Sequence, residues 1–317
     1  MKLVILDGFT LYENEMMKDM FSDLGDVVCY DRTKPEDVYR RICDAEMVLT
    51  NKVILTNDML EKCPNLVYVG VMATGYNVID TAFAARKNIV VTNIPAYSTS
   101  SVVQHVFALI LSFASKIAEH DSAVKNGKWA SSSDFTFLEE PIFELSGKTI
   151  GVIGMGAIGE SVCRVASAFD MKILAYSRHE KDVCVDKLTW CDLPTLYRQS
   201  DFITIHAPLN DETRGMINKN SLSLMKESAF LVNTSRGPVI CEEDLADALN
   251  HGRIAAAAVD VLSTEPPKAD NPLLTAKNIT ITPHIAWATN EAKKRLIFIC
   301  HENIKSFLNG NPQNQVH

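Results

Sequence analysis

Three residues in the C-terminal half carry side chains that together can do acid–base chemistry on an anion: Arg236, Glu265 and His284. A protonated imidazole can hand a proton to a developing alkoxide near neutral pH. A carboxylate hydrogen-bonded to an imidazole raises its pKa and fixes its orientation. A guanidinium fork can hold a substrate carboxylate and stabilise the charge that builds on an adjacent keto oxygen. The set suits reduction of a carbonyl beside a carboxylate, and no metal is needed. Each residue alone would be an ordinary loop or surface group. Their common position changes the reading, because each follows a strand-like run: Ala229–Val232 before Asn233-Thr-Ser-Arg-Gly-Pro238, Ala256–Val259 before Glu265, and Ile279–Thr282 before Pro283-His284. Ligands bind at the carboxyl ends of strands in open α/β sheets.

Upstream, Lys148-Thr-Ile-Gly-Val-Ile-Gly-Met-Gly-Ala-Ile-Gly159 holds Gly-x-Gly-x-x-Gly between a strand-like and a helix-like run. That context reads as a dinucleotide turn. Gly154 allows the tight turn, Gly156 lets the backbone approach a pyrophosphate, and Gly159 lets the helix pack close to the sheet. The helix N-terminus at Ala157 and Ile158 offers N–H donors to phosphate. An Asp or Glu about 20 residues on would hold the ribose hydroxyls of NAD. Here Ser177-Arg178-His179 follows Lys172–Tyr176 instead. Ser177 and Arg178 can both bond a 2′-phosphate, so NADP(H) is favoured over NAD(H).

These turns need an α/β scaffold. Strand-like runs at Leu3–Leu6, Val27–Tyr30, Met47–Leu49, Val67–Gly70 and Ile89–Thr92 alternate with amphipathic segments such as Pro35–Cys43 and Asn57–Cys63. A second series runs through Thr149–Ile153, Lys172–Ala175, Phe202–Ile205, Phe230–Val232, Ala256–Val259 and Ile279–Thr282, with helices such as Ala157–Ala168 and Glu242–Asn250. Alternation of this kind implies parallel sheets covered by helices, here two doubly wound units. Ser98–Glu119 reads as one helix of about 30 Å, long enough to bridge two domains. Asn126–Pro141 reads as a loop and Asn290–Leu308 as a final helix.

Composition agrees. A chain of 317 residues, 47% apolar, suffices for two cores. A formal net charge of −8 with no basic block argues against nucleic acid. No apolar run approaches the roughly 18 residues that span a bilayer. The N-terminal Met-Lys-Leu-Val-Ile-Leu-Asp7 reads as a strand and not a signal peptide, so a cytoplasmic protein is expected. The eight cysteines show no Cys-x-x-Cys or zinc spacing and read as packing residues in a reducing compartment.

In this order and spacing, Gly154-Met-Gly-Ala-Ile-Gly159, His206-Ala-Pro-Leu209, Asn233-Thr-Ser-Arg-Gly237, Val259-Asp-Val261 with Glu265, and Pro283-His-Ile285 resemble the D-isomer-specific 2-hydroxyacid dehydrogenase family over nearly the whole chain. Val71-Met-Ala-Thr-Gly-Tyr-Asn77, Ser101-Val-Val-Gln-His-Val-Phe107 and His284-Ile-Ala-Trp-Ala-Thr289 look most like its glycerate dehydrogenase, or hydroxypyruvate reductase, branch.

The resemblance implies a Rossmann cofactor domain, 99–285, inserted into a flavodoxin-like substrate domain of residues 1–98 and 286–317. It implies a crevice between them that closes on binding, and a homodimer joined through the connecting helix and the loop after it. Arg236 would bind the substrate carboxylate and keto oxygen, His284 would be the acid/base and Glu265 its partner. Gly156 to Ile158, His206, Pro208, Thr234, Ser235 and Asp260 would line the cofactor, with Asp260 near the nicotinamide amide. Ala73, Thr74 and Gly75 would offer backbone N–H groups to the substrate, with Asn51 and Lys52 nearby. Met72, Tyr76 and Trp287 would gauge its size. The substrate would be hydroxypyruvate or glyoxylate. A bulkier 2-keto acid, and a cofactor-sensing corepressor-like protein, are the other readings. The Ala73–Gly75 turn brings no cationic side chain for a phosphoryl group, which disfavours phosphoglycerate.

Overall fold

The computed structural model describes residues 1–316 and divides into two compact units, Met1–Ser98 together with the segment from Ala288 onward, and Thr99–Trp287. In the first unit, strands β1 (Lys2–Ile5), β2 (Asp26–Cys29), β3 (Met47–Thr50), β4 (Tyr68–Val71) and β5 (Val90–Thr92) form one parallel sheet in the order β2-β1-β3-β4-β5. That is a doubly wound, flavodoxin-like order. Helices α1 (Asn14–Phe21), α2 (Val38–Ile42), α3 (Asn57–Glu61) and α4 (Thr81–Arg86) make its connections. Strands β3 and β4 are buried along their whole length, as central parallel strands covered on both faces must be.

The second unit opens with α5 (Thr99–Ser115) and α6 (Ile117–Lys125). The sequence suggests one helix here, but the structure bends it by 54° at Lys116, which takes a left-handed backbone, φ +51°. No glycine or proline marks the break. The Lys116 ammonium lies 2.9 Å from Glu140 and over the ring of Phe113, three residues back on α5. No single helix among the described residues is long and apolar enough to cross a membrane.

Seven strands follow: β6 (Thr149–Ile153), β7 (Lys172–Tyr176), β8 (Leu188–Trp190), β9 (Phe202–Ile205), β10 (Phe230–Asn233), β11 (Ala256–Val259) and β12 (Ile279–Ile281). They pair in parallel in the order β12-β11-β10-β9-β6-β7-β8. The chain order reverses between β6 and β9, the switch point where a Rossmann sheet opens its ligand crevice. The connections use α7 (Ala157–Ala168), α8 (Leu193–Gln199), α9 (Lys219–Leu224) and α10 (Glu242–Asn250). Two cores fill the faces, one gathering α5 and α7 over Ile150, Val152, Phe202 and Phe230, the other gathering α8, α9 and α10 over Ile153, Ile203, Ile205 and Leu231.

The last helix, α11 (Asn290–Leu308), belongs to the first unit. Phe307 packs on Tyr68 of β4, with ring centroids 4.9 Å apart. The wholly buried Asn303 donates to the Asn93 carbonyl and accepts from Asn314. Beyond it the chain runs antiparallel to the end of β5 through Thr92 and Gln315. Of the eight cysteines, Cys29, Cys63, Cys163 and Cys300 are buried packing residues, and burial pushes all four thiols up. Cys184 is exposed, and the remaining three are half-buried.

Candidate active site

The end of β6 is tied to both neighbours at the switch point. The Gly154 N–H donates to the Tyr176 carbonyl at the end of β7, 2.8 Å away. Gly154 has φ +95°, and a Cβ there would lie 2.7 Å from the backbone of His206 and Ala207 past β9. Glycine is therefore required twice over, by conformation and by space. Gly159 is required by packing, since a Cβ would drive into the Gly154 carbonyl oxygen. Gly156 differs: it caps α7, has an ordinary φ of −78°, and a Cβ would meet nothing within 4 Å. The space above it, at the start of α7 where Ala157 and Ile158 follow, is therefore open.

Two further features fit a dinucleotide at this edge. His206 Nε2, past β9, and Thr234 Oγ1, past β10, are buried and have no hydrogen-bond partner among the described residues. Buried polar atoms are rarely left so without a ligand or water to satisfy them. Burial pushes the His206 imidazole down to about 4, so it is neutral at physiological pH. Ser177 and Arg178 leave the end of β7, and Arg178 Nη1 lies 3.5 Å from Glu212 with both side chains largely exposed. Pro208 is exposed on the loop after β9, and its carbonyl accepts from Thr213.

Arg236, Glu265 and His284 follow β10, β11 and β12, three adjacent parallel strands, so all leave the same edge of the sheet. His284 Nδ1 lies 2.6 Å from Glu265 Oε2, while Oε1 accepts the Leu262 N–H at 3.0 Å. A carboxylate only accepts, so Nδ1 carries the proton and Nε2 is the ring atom left to face a substrate. The Arg236 turn is seated directly on this loop: a Cβ on Gly237 would collide with the backbone of Leu262 and Ser263. The turn is held from inside by Asn233, wholly buried, whose Oδ1 accepts from Ser235 N and Oγ and whose Nδ2 donates to the Arg236 carbonyl. The Arg236 guanidinium is exposed, with Nη1 folded back onto the Ser235 carbonyl at 2.7 Å.

The other residues singled out in the sequence have their own local bonds. Ser235 donates both its hydroxyl and its N–H to Asn233 Oδ1, which shapes the turn. Asp260 is 1% exposed, and its carboxylate turns inward to accept from Thr282 Oγ1 and the amides of Ile285 and Ala286. In the first unit, the Ala73 N–H is used by the Val71 carbonyl, which leaves the turn's other amides, Thr74 and Gly75, as donors. The Thr74 hydroxyl and carbonyl are tied to Ile94 and Asn93. Asn51 is buried beside Asp7, whose carboxylate accepts the amides of Asn51, Lys52 and Val53, which makes this loop a structural turn. Burial raises the Asp7 pKa. Met72 is wholly buried and has no surface with which to gauge a substrate, whereas Tyr76 is partly exposed.

Residues 107–286 match the family of D-isomer specific 2-hydroxyacid dehydrogenases through its NAD binding domain. Over its full length the chain is 46% identical to the hydroxypyruvate reductase of Blautia hydrogenotrophica, 99% of which it covers. The chain belongs to the D-isomer specific 2-hydroxyacid dehydrogenase family. It is therefore an oxidoreductase that acts on CH–OH groups with a nicotinamide cofactor. The dehydrogenase also shares its fold with solved structures. One is an acyclic imino acid reductase in complex with NADPH and D-Arg, with TM-score 0.89, 31% identity and full coverage of both chains. Another is the D-lactate dehydrogenase of Aquifex aeolicus with NAD and lactic acid, with TM-score 0.84 and 29% identity, covering 98% of this chain and 96% of that one.

Proposed function

We propose that this dehydrogenase reduces hydroxypyruvate to D-glycerate, and glyoxylate to glycolate, with Arg236, Glu265 and His284 as its working groups. The observation that carries the reading is the 2.6 Å contact between His284 Nδ1 and Glu265, which fixes the ring with Nε2 as the proton donor. The likeness to the Blautia hydroxypyruvate reductase supports the substrate class. A bound reduced nicotinamide supplies the hydride for the carbonyl carbon. The Arg236 fork pairs with the substrate carboxylate and steadies the keto oxygen as it becomes an alkoxide. His284 gives its Nε2 proton to that oxygen, the carbonyl π bond becoming the new O–H. The ring is left neutral with its proton on Nδ1, and Glu265 no longer faces a cation. Gly154, Gly156 and the first amides of α7 hold the pyrophosphate end, and His206 Nε2 and Thr234 Oγ1 are available along the cofactor.

We infer that NADPH is the preferred donor. Arg178 stands past β7 and pairs with an exposed carboxylate, Glu212. An exposed pair is worth little, so Arg178 can exchange Glu212 for a 2′-phosphate. Initial rates with hydroxypyruvate, run with NADPH and with NADH, test both points. Arg178→Ala is expected to raise the KM for NADPH by roughly tenfold or more, the size of a lost charge-assisted bond, and to leave NADH within about twofold. Equal use of both cofactors, untouched by Arg178→Ala, would contradict the NADPH reading. Reduction only of bulkier 2-keto acids would contradict the substrate.

The chain is further proposed to form a homodimer. Ile117, Trp129, Phe135, Leu138 and Ile142 are exposed along α6 and the loop after it, Phe135 at 89%. Apolar patches of this kind mark contact surfaces. Light scattering should give about twice the chain mass of 35.1 kDa, and a monomer at micromolar concentration would refute it.

A further inference from the structure

His284 sits in a backbone conformation that side chains seldom adopt, φ +54°. Something must hold it there, and the bonds on either side of it show what does. Its own N–H donates to the Asp260 carbonyl at 2.8 Å. The next two amides, Ile285 and Ala286, each donate to the Asp260 carboxylate at 2.9 Å. From the other side, Thr282 Oγ1 lies 2.6 Å from Asp260 Oδ1. The buried Asp260 side chain is thus the hub of the turn that carries His284, and none of these bonds reaches the imidazole itself.

Asp260 has one more neighbour, from an element far away in sequence. His105, on α5, lies with Nε2 3.0 Å from Thr282 Oγ1 and 3.6 Å from Asp260 Oδ1. The directions of these bonds follow from the groups. A carboxylate only accepts, so the single proton of the Thr282 hydroxyl points to Asp260. The hydroxyl oxygen must then accept from His105, whose Nε2 carries a hydrogen. The chain of donors runs one way, from His105 to Thr282 to Asp260, and ends on a carboxylate in a site with almost no solvent. Hydrogen-bonded chains of this kind strengthen one another, and loss of a member leaves a buried polar group unsatisfied.

We propose that His105 is a positioning residue for His284, acting through Thr282 and Asp260 and touching neither substrate nor cofactor. The proposal rests on the reading of His284 as the acid/base. It assigns α5 a part in the chemistry that its apolar packing against α7 does not require. The side chain that His105 needs at this place is a donor at the Nε2 position, which glutamine supplies and leucine does not.

The test uses the full chain with hydroxypyruvate and NADPH. His105→Leu and Thr282→Val are each expected to lower kcat by roughly ten- to hundredfold, the scale of a catalytic group displaced by an ångström. The KM for NADPH should stay within about twofold. His105→Gln and Thr282→Ser should recover most of the lost rate. The double variant His105→Leu/Thr282→Val should be no slower than Thr282→Val alone, because both break one chain of bonds. A plain packing role would instead move Tm with kcat, gain nothing from glutamine, and give additive losses, and that pattern overturns the proposal. If His284→Gln is inactive while His105→Leu and Thr282→Val keep full kcat, this inference fails and the assignment of His284 stands. If His284→Gln keeps full activity, both fail together. Should His105→Leu not fold, the Thr282→Val and Thr282→Ser pair decides the matter by the same criteria.

Discussion

His284→Gln is expected to lower kcat by roughly 10²- to 10⁴-fold, the contribution of a placed general acid. Glutamine can still bond Glu265 but cannot deliver a proton, so the turn is kept and the chemistry removed. Cofactor binding, read by quenching or enhancement of nicotinamide fluorescence, should be unchanged within about twofold, since the glycine turn and the α7 amides lie beyond β6 and not beyond β12. Glu265→Gln should cost less than His284→Gln, because the imidazole that delivers the proton and a hydrogen-bond partner for its Nδ1 are both kept. A His284→Gln enzyme with normal kcat would remove the acid/base assignment altogether.

The second large effect belongs to Arg236. Arg236→Ala should lower kcat/KM by about three orders of magnitude, or roughly 4 kcal/mol, since it removes both the carboxylate clamp and the support for the developing alkoxide. The loss should divide between a raised KM for the keto acid and a lowered kcat, unlike the His284 variant, whose loss falls on kcat. Arg236→Lys should recover little, because an ammonium lacks the planar fork. Steady-state kinetics on protein of normal circular dichroism checks this. A change in KM alone, with kcat intact, would confine Arg236 to binding.

The geometry explains why these positions were legible in the sequence and others were not. Arg236, Glu265 and His284 each follow an apolar run, and parallel strands bring their carboxyl ends to one edge whatever the packing details. The glycine turn was legible for a similar reason: Gly159 is fixed by a clash with Gly154 inside the strand–turn–helix itself, and Gly154 by its φ of +95° as well as by the neighbouring strand end at His206 and Ala207. Strand limits moved by a residue or so, because the last ladder bond depends on the neighbour and not on the segment. β8 was not anticipated, since Leu188-Thr-Trp190 is too short to show a period. The break at Lys116 was hidden because no glycine or proline announces it.

At the site, Asn233 stands in a motif of the sequence, but only the structure shows its buried amide shaping the Arg236 turn. The contact between His105 and Thr282 spans 177 positions and links a helix to a strand end, which no local pattern encodes. Asp260 shows the converse. Its position in Val259-Asp-Val261 marks it out, but only the structure shows the carboxylate turned inward to hold the His284 turn.

The most direct test of the account is the product itself. The enzyme should be given hydroxypyruvate and a stoichiometric amount of NADPH, and the glycerate resolved on a chiral column. The account predicts one D-glycerate for each NADPH consumed, and no product from His284→Gln in the same time. L-glycerate, or unreacted hydroxypyruvate beside protein that binds the cofactor, would contradict it.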